Sequence, residues 1–248
     1  MMMDFPLKTS IDEIFSQLSL TNSPVQSGSS RKILFWGEGV GEISSYVAGW
    51  MAGQGIDVIV LDGANRFDPY MVSSFAKKEL IYPESLLKRI RIARAFTCYQ
   101  MATLIEERLV SLLRKGREIG RSKKPWVILL GPATPFLDED VPEREVRPLF
   151  ERSLRKVEEM AMEGIPFFLF QPSVFDSPFP SLTQGKVGGL RDSKRAYLMK
   201  RLFQFSNLVW RISLGDQELK VMLEKRIESL PTLGEAPNTK HQIPNKLQ

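Results

Sequence analysis

The sequence predicts a three-layer α/β sandwich built on a mostly parallel central sheet. Three observations lead there. Short apolar runs, among them ILFW, IDVIVL, WVILL and IPFFLF, recur between longer segments of helical period. Two of these runs, Trp126–Leu130 and Ile165–Phe170, are apolar without alternation, as in strands covered on both faces. The repeated strand–helix order favours parallel strands joined by crossovers. A chain of 248 residues, 43% hydrophobic and 25% charged, suits one such domain with a sizeable core.

Taken in order, Ser10–Leu18 reads as a short helix, with Ser10 and Glu13 at capping-box spacing and Ile11, Ile14, Phe15 and Leu18 on one face. A serine-rich linker follows, so residues 1–30 carry a helix and a link rather than a domain. The α/β domain is expected over 31–228. Its first strand is Ile33–Trp36, followed by glycines and a helix from about Ser44 to Ala52. Ile56–Leu61 is the second strand. The third, Ile90–Ala95, alternates charge with apolar residues and suits an edge. A helix from Thr97 to about Lys115 has the stripe Cys98, Met101, Ile105, Leu109 and Leu112. Glu143 to Met162 is a long charged helix whose core face is Val146, Leu149 or Phe150, Leu154 and Val157. Gln171–Arg191 is a long loop. A helix over Ser193–Phe205 and a strand over Leu208–Ile212 come next, and Leu219–Leu223 is a strand or a helical turn. The tail, 229–248, has too little apolar surface to order itself.

The stretch GEGVGE, Gly37–Glu42, is the one loop dense enough in glycine to suggest a ligand. Gly37, Gly39 and Gly41 permit close approach, and a helix opening at Ser44 offers free N–H groups to an anion. Asp62, at the end of the second strand, is placed to accept from ribose hydroxyls, as in nucleotide-like cofactor sites for NAD or S-adenosylmethionine. Glu38 lies close enough to face the same ligand. A tight strand–helix turn without any ligand satisfies the same residues.

Several segments in order resemble a known family. KTSIDEIFSQL looks like a leader helix, GEGVGEISS stands at a Walker A loop, and VLDGANRFDP looks like a second strand ending in an acid. IRIARAFTCYQMATLIE is similar to a strand ending in Ala-Arg-Ala before a helix containing Gln-Met. WVILLG stands at Walker B, and IPFFLFQ at a strand ending in a nucleotide-sensing polar residue. This is the pattern of the RecA/RadA/KaiC class of recombinase-type ATPases, and the resemblance implies a RecA-like P-loop NTPase core over roughly Lys8 to Ile212.

The chemistry of that family is missing. With Gly37 on the first glycine of G-x-x-x-x-G-K-[ST], Glu42 falls on the last glycine, Ile43 on the lysine and Ser44 on the hydroxyl. Isoleucine cannot neutralise phosphate, and WVILL runs into Gly131 where a carboxylate should steady Mg²⁺. The resemblance therefore implies a non-catalytic accessory protein, in DNA repair or recombination or regulating a partner NTPase, with no bound cofactor. A cofactor-using enzyme (ATP, NAD or S-adenosylmethionine on the glycine loop) and a protein-binding scaffold without nucleic-acid contact are the alternatives.

The net charge of +5 is compatible with a nucleic-acid partner, and its distribution matters more than its total. Basic residues cluster at Lys88, Arg89, Arg91 and Arg94. A second group is Arg114, Lys115, Arg117, Arg121, Lys123 and Lys124. A third is Arg191, Lys194, Arg195, Lys200 and Arg201. These suit phosphate contacts from single- or double-stranded DNA. The loop Pro172–Gly189 stands where the resembled recombinases place a DNA-facing loop, with Phe175 and Phe179 as stacking candidates and Lys186 as its basic residue. The same family assembles head to tail, which implies a protein partner or a second copy, through groups such as Phe67, Tyr70, Met71 and Phe75. The lone cysteine, Cys98, excludes an internal disulfide framework. The lone histidine, His241, has no catalytic neighbour in sequence. No apolar run approaches membrane-spanning length. A cytoplasmic protein without membrane contact is expected.

Overall fold

A computed structural model describes residues 31–118, 124–173, 195–214 and 219–226. The helix expected at 10–18, the tail 229–248, most of the loop 172–189 and the side chains of Arg117, Arg121, Lys123, Lys186, Arg191 and Lys194 lie outside that description. The described residues form a seven-stranded, mostly parallel sheet flanked by helices on both faces, in the order β3-β2-β4-β5-β1-β6-β7. The strands are β1 (Lys32–Gly37), β2 (Val58–Asp62), β3 (Ile90–Arg94), β4 (Trp126–Leu130), β5 (Phe167–Pro172), β6 (Leu208–Leu214) and β7 (Leu219–Arg226). Among the described strands only β7 runs antiparallel, as a hairpin partner of β6.

Each central strand feeds two cores by alternation. Leu34, Trp36, Leu129 and Leu169 join one, and Ile33, Phe35, Ile128 and Phe168 join the other. The second core is covered by α1 (Val40–Gly53), α2 (Pro69–Lys78) and α3 (Pro83–Leu87). The first is covered by α4 (Cys98–Thr103) with its continuation α5 (Val110–Glu118), by α6 (Glu143–Met162) and by α7 (Ala196–Phe205). Two stacked ring pairs, Phe35–Phe170 and Trp126–Phe168, fix the strand faces beneath α1.

Most elements stand where the sequence puts them, with three differences. Helix α1 opens at Val40, four residues before the expected Ser44, because Gly39 takes up a left-handed conformation (φ 67) that starts the helix at once. Helices α4 and α5 are joined by a π-helical turn, Leu104–Leu109. The wider turn moves the next core position from the expected Leu112 to Leu113, which is 7% exposed. On α6 the choice between Leu149 and Phe150 falls to Phe150, buried edge-to-face on Phe136. The short helices α2 and α3 are absent from the sequence reading; α2 follows Asp68, whose carboxylate caps Tyr70 N–H at 2.8 Å, and α3 follows Tyr82 without a side-chain cap.

Candidate functional site

Ligands of parallel α/β sheets sit beyond the carboxyl ends of the strands, so the ends of β1, β2, β4 and β5 are the first place to look. The loop after β1 is only Glu38 and Gly39. Gly37 (φ 125) lies so close to β6 that a Cβ there would stand 2.0 Å from the carbonyl oxygen of Ile212. The next N–H, from Glu38, donates to that same carbonyl at 3.1 Å, and Ser173 N–H donates to the carbonyl of Gly37 at 2.9 Å. These backbone groups close the junction of β6, β1 and β5. A phosphate cradle needs a wider loop whose N–H groups converge on the ligand.

The first turn of α1 faces protein except at Glu42, which is exposed. Ile43 is 4% exposed in the core. Ser44 Oγ donates to the carbonyl of Gly41 at 2.7 Å rather than pointing outward. Ser45 Oγ donates to the same carbonyl and accepts from Asp68 N–H at 2.9 Å, stapling α1 to the loop after β2. Gly41 abuts Arg66 of that loop, with 3.0 Å between a built Cβ and Arg66 Cβ.

Asp62 is fully buried. Its carboxylate accepts from Arg66 N–H and Phe67 N–H at 3.2 and 3.0 Å and lies 3.5 Å from the Arg94 guanidinium. It folds the turn after β2. The strand order also sets two strands, β4 and β5, between β2 and β1, roughly 14 Å from one to the other at ordinary strand spacing. With its carboxylate fully buried and engaged by Arg66, Phe67 and Arg94, Asp62 presents no exposed acceptor to the ribose of a nicotinamide or methyl-donor cofactor.

The end of β4 meets the end of β2 directly. Gly131 (φ 63) leaves no room for a side chain, since a Cβ would stand 2.6 Å from that of Ala64. A carboxylate at the Walker B position cannot be built there. Gln171, at the end of β5, is fully buried. Its Oε1 accepts from Ala133 N–H at 3.0 Å, and its Nε2 donates to Thr134 Oγ1 and the carbonyl of Pro172. The crevice where the crossovers part between β2 and β4 is filled by protein.

Among the nucleic-acid candidates, Arg195 needs correction. It is 6% exposed and its guanidinium donates to the carbonyls of Phe136, at 2.7 Å, and of Val141. It clamps the segment after β4 and presents no charge to a partner. Arg114, Lys115 and Lys124 are exposed, and Lys124 Nζ also donates to the carbonyl of Glu163 at 2.6 Å. These lie at the amino ends of the strands, whereas Arg94 and Arg195 lie at the carboxyl ends, so the three clusters do not form one surface. At the amino end a cleft of about 50 Å³ opens between β2, β3 and α5, with Arg89, Arg91 and Lys124 in its lining.

The edge strand β3 is the other exposed feature. Val58 N–H donates to the carbonyl of Arg89, and Ala95 N–H to that of Asp62. In a parallel ladder this turns the backbone groups of Ile90, Ile92 and Arg94 toward the open edge. Ile92 is 40% exposed, and Phe96, 66% exposed, follows β3. Leu80 and Tyr82 are exposed just before α3, which packs against β3.

Cys98 is buried, and burial pushes its thiol above its ordinary pKa; it is a core side chain. Among the described residues no three carboxylate, imidazole or thiolate groups converge as metal ligands, and no helix is long and apolar enough to cross a membrane.

The fold is a three-layer α/β sandwich with a mostly parallel sheet, and its glycine loop is a closed strand–helix turn. No known protein family matches the chain, and no characterised protein shows significant sequence similarity to it.

Proposed function

We propose that this chain is a non-catalytic accessory protein with a RecA-like core, serving DNA repair or recombination or regulating a partner NTPase, and that it works through macromolecular contacts rather than nucleotide turnover. The observation that carries the reading is the closed turn at Gly37–Val40. The Gly37 carbonyl is committed to Ser173, just after β5, and the Glu38 N–H to Ile212 of β6, and the residues that align with the Walker lysine and hydroxyl, Ile43 and Ser44, point into protein. The order of the resembling segments along the chain favours the RecA-like core over other α/β folds. The burial of the Asp62 carboxylate, engaged by Arg66, Phe67 and Arg94, weighs against the cofactor-using enzyme.

The protein-contact side of the proposal draws on β3. An extended segment of another polypeptide added there would satisfy the outward backbone groups of Ile90, Ile92 and Arg94 and cover Ile92 and Phe96. Calorimetric titration with Mg-ATP tests the central claim, and no binding tighter than millimolar is expected. Micromolar binding of ATP, NAD or S-adenosylmethionine sinks it. Sedimentation velocity tests the edge: self-association carried by β3 is lost in Ile92→Lys, and an assembly untouched by that change moves the contact elsewhere.

A further inference from the structure

We infer that the cleft at the amino ends of β2 and β3 is a docking point for the phosphodiester backbone of duplex nucleic acid, at the opposite end of the sheet from the glycine loop. The inference deepens the proposed role in DNA repair or recombination and rests on it for nucleic acid as the ligand; Arg89 and Lys124 lie outside the segments that carry the RecA-like resemblance, and Arg91 lies within one of them.

Three cations meet at this cleft against one carboxylate. Arg89 Nη1 is held by Asp57 at 3.1 Å and by the carbonyl of Gly55 at 3.3 Å. That anchors the guanidinium while leaving its other nitrogens, Nε and Nη2, outside both contacts. Lys124 Nζ reaches the carbonyl of Glu163 and keeps two of its three protons for other acceptors. Arg91 is exposed, and among the described residues no carboxylate pairs with it. Two of the three side chains are thus pre-positioned by backbone carbonyls, so little rotamer entropy is lost on meeting an anion. Arg114 and Lys115, exposed on the neighbouring α5, extend the same charge beyond the cleft.

Size decides the ligand class. The cleft holds about 50 Å³, far below the roughly 300–1,000 Å³ of a small-molecule pocket. It admits a phosphate group and excludes a nucleoside. A single exposed phosphate gains little from cations in water. A polymer of phosphates gains through release of its condensed counterions at each contact. The lining also separates duplex from single strand. It consists of aliphatic residues such as Ile59, Leu113 and Ile165 beneath the cations, with no aromatic ring among them. Single-strand binders stack bases on aromatic side chains, and the lining of the cleft offers none.

The test is fluorescence anisotropy with a labelled duplex of about 25 base pairs and the single strand of the same sequence, at about 50 and 200 mM NaCl. The double variant Arg91→Ala/Lys124→Ala is expected to bind the duplex about tenfold more weakly at the lower salt. The slope of log affinity against log salt should fall by about 2. Arg144→Ala/Arg155→Ala, an equal loss of charge on the outer face of α6, should change affinity less than about twofold. The wild type should favour duplex over single strand. Equal weakening by both double variants reduces the effect to net charge and overturns the site. An unchanged Arg91→Ala/Lys124→Ala variant, or a wild type that binds no duplex at the lower salt, overturns it as well. Tighter binding of the single strand overturns the choice of duplex. Matching thermal midpoints for both variants keep folding out of the comparison.

Discussion

Gly37, Leu80 and Arg195 each answer to a different force. Gly37 is held by contact: any Cβ would meet the Ile212 carbonyl at 2.0 Å with φ at 125°. Gly37→Ala is expected to cost about 3 kcal/mol or more, read from urea midpoints. Leu80 is the reverse case. It ends α2 in a left-handed conformation (φ 57), donating its N–H to Lys77 while its side chain is 95% exposed. A leucine there bears backbone strain and gains nothing from burial, so Leu80→Gly should stabilise by about 1 kcal/mol, seen as a higher melting temperature. A loss of stability would show that the leucine side chain has packing value. Arg195 is a buried charge satisfied by two carbonyls. Arg195→Met should cost about 3 kcal/mol, because both acceptors lose a charged donor, yet leave duplex affinity unchanged in refolded protein. Cys98 carries a thiol made less acidic by burial. It should react with a disulfide reagent only as fast as the native state opens, and a fast reaction in native buffer at pH 8 would contradict its burial.

At the scale of elements, α1 shows what the sequence could and could not tell. Its existence was legible from the run of apolar and small residues after Gly41, but its start was not. The glycines that look like a phosphate loop are here used for close packing, Gly37 on Ile212 and Gly41 on Arg66, and nothing in the local pattern separates those two uses. Ile43→Lys follows from this. It cannot recreate a Walker lysine, because position 43 points into the core under α1. It should destabilise by several kcal/mol, measured by chemical denaturation, without producing ATP hydrolysis. The strands WVILL and IPFFLF were legible because burial on both faces demands unbroken apolar runs. The π turn at Leu104–Leu109 was not. It leaves the spacing of Ile105 and Leu109 intact and shows itself only one turn later, at Leu113. Helices α2 and α3 escaped because each is short and opens on a proline, which reads equally well as a turn. The role of Gln171 was hidden for a different reason: a polar residue at a strand end suits a ligand and a loop clamp equally, and only the positions of Ala133 and Thr134 decide between them.

On the scale of the whole molecule, the sheet has two differently equipped ends. The carboxyl ends of the strands are closed by loop-to-loop packing, and the amino end beside β3 gathers Arg89, Arg91 and Lys124 around one cleft. The three basic clusters of the sequence are divided between those ends by the direction of the strands. The strand order has a further effect on how the chain is made. Strand β1 is the earliest strand described, yet its partners are β5 and β6, with Lys32 opposite Phe167 and Ile33 opposite Leu208. About 135 residues must leave the ribosome after Lys32 before its first neighbour exists. At about 5–20 residues per second that is roughly 7–27 s, during which KILFWG is an unpaired apolar ribbon. Nascent chains halted before β5 should therefore be held by chaperones and cut readily by protease, and those released beyond β6 should not.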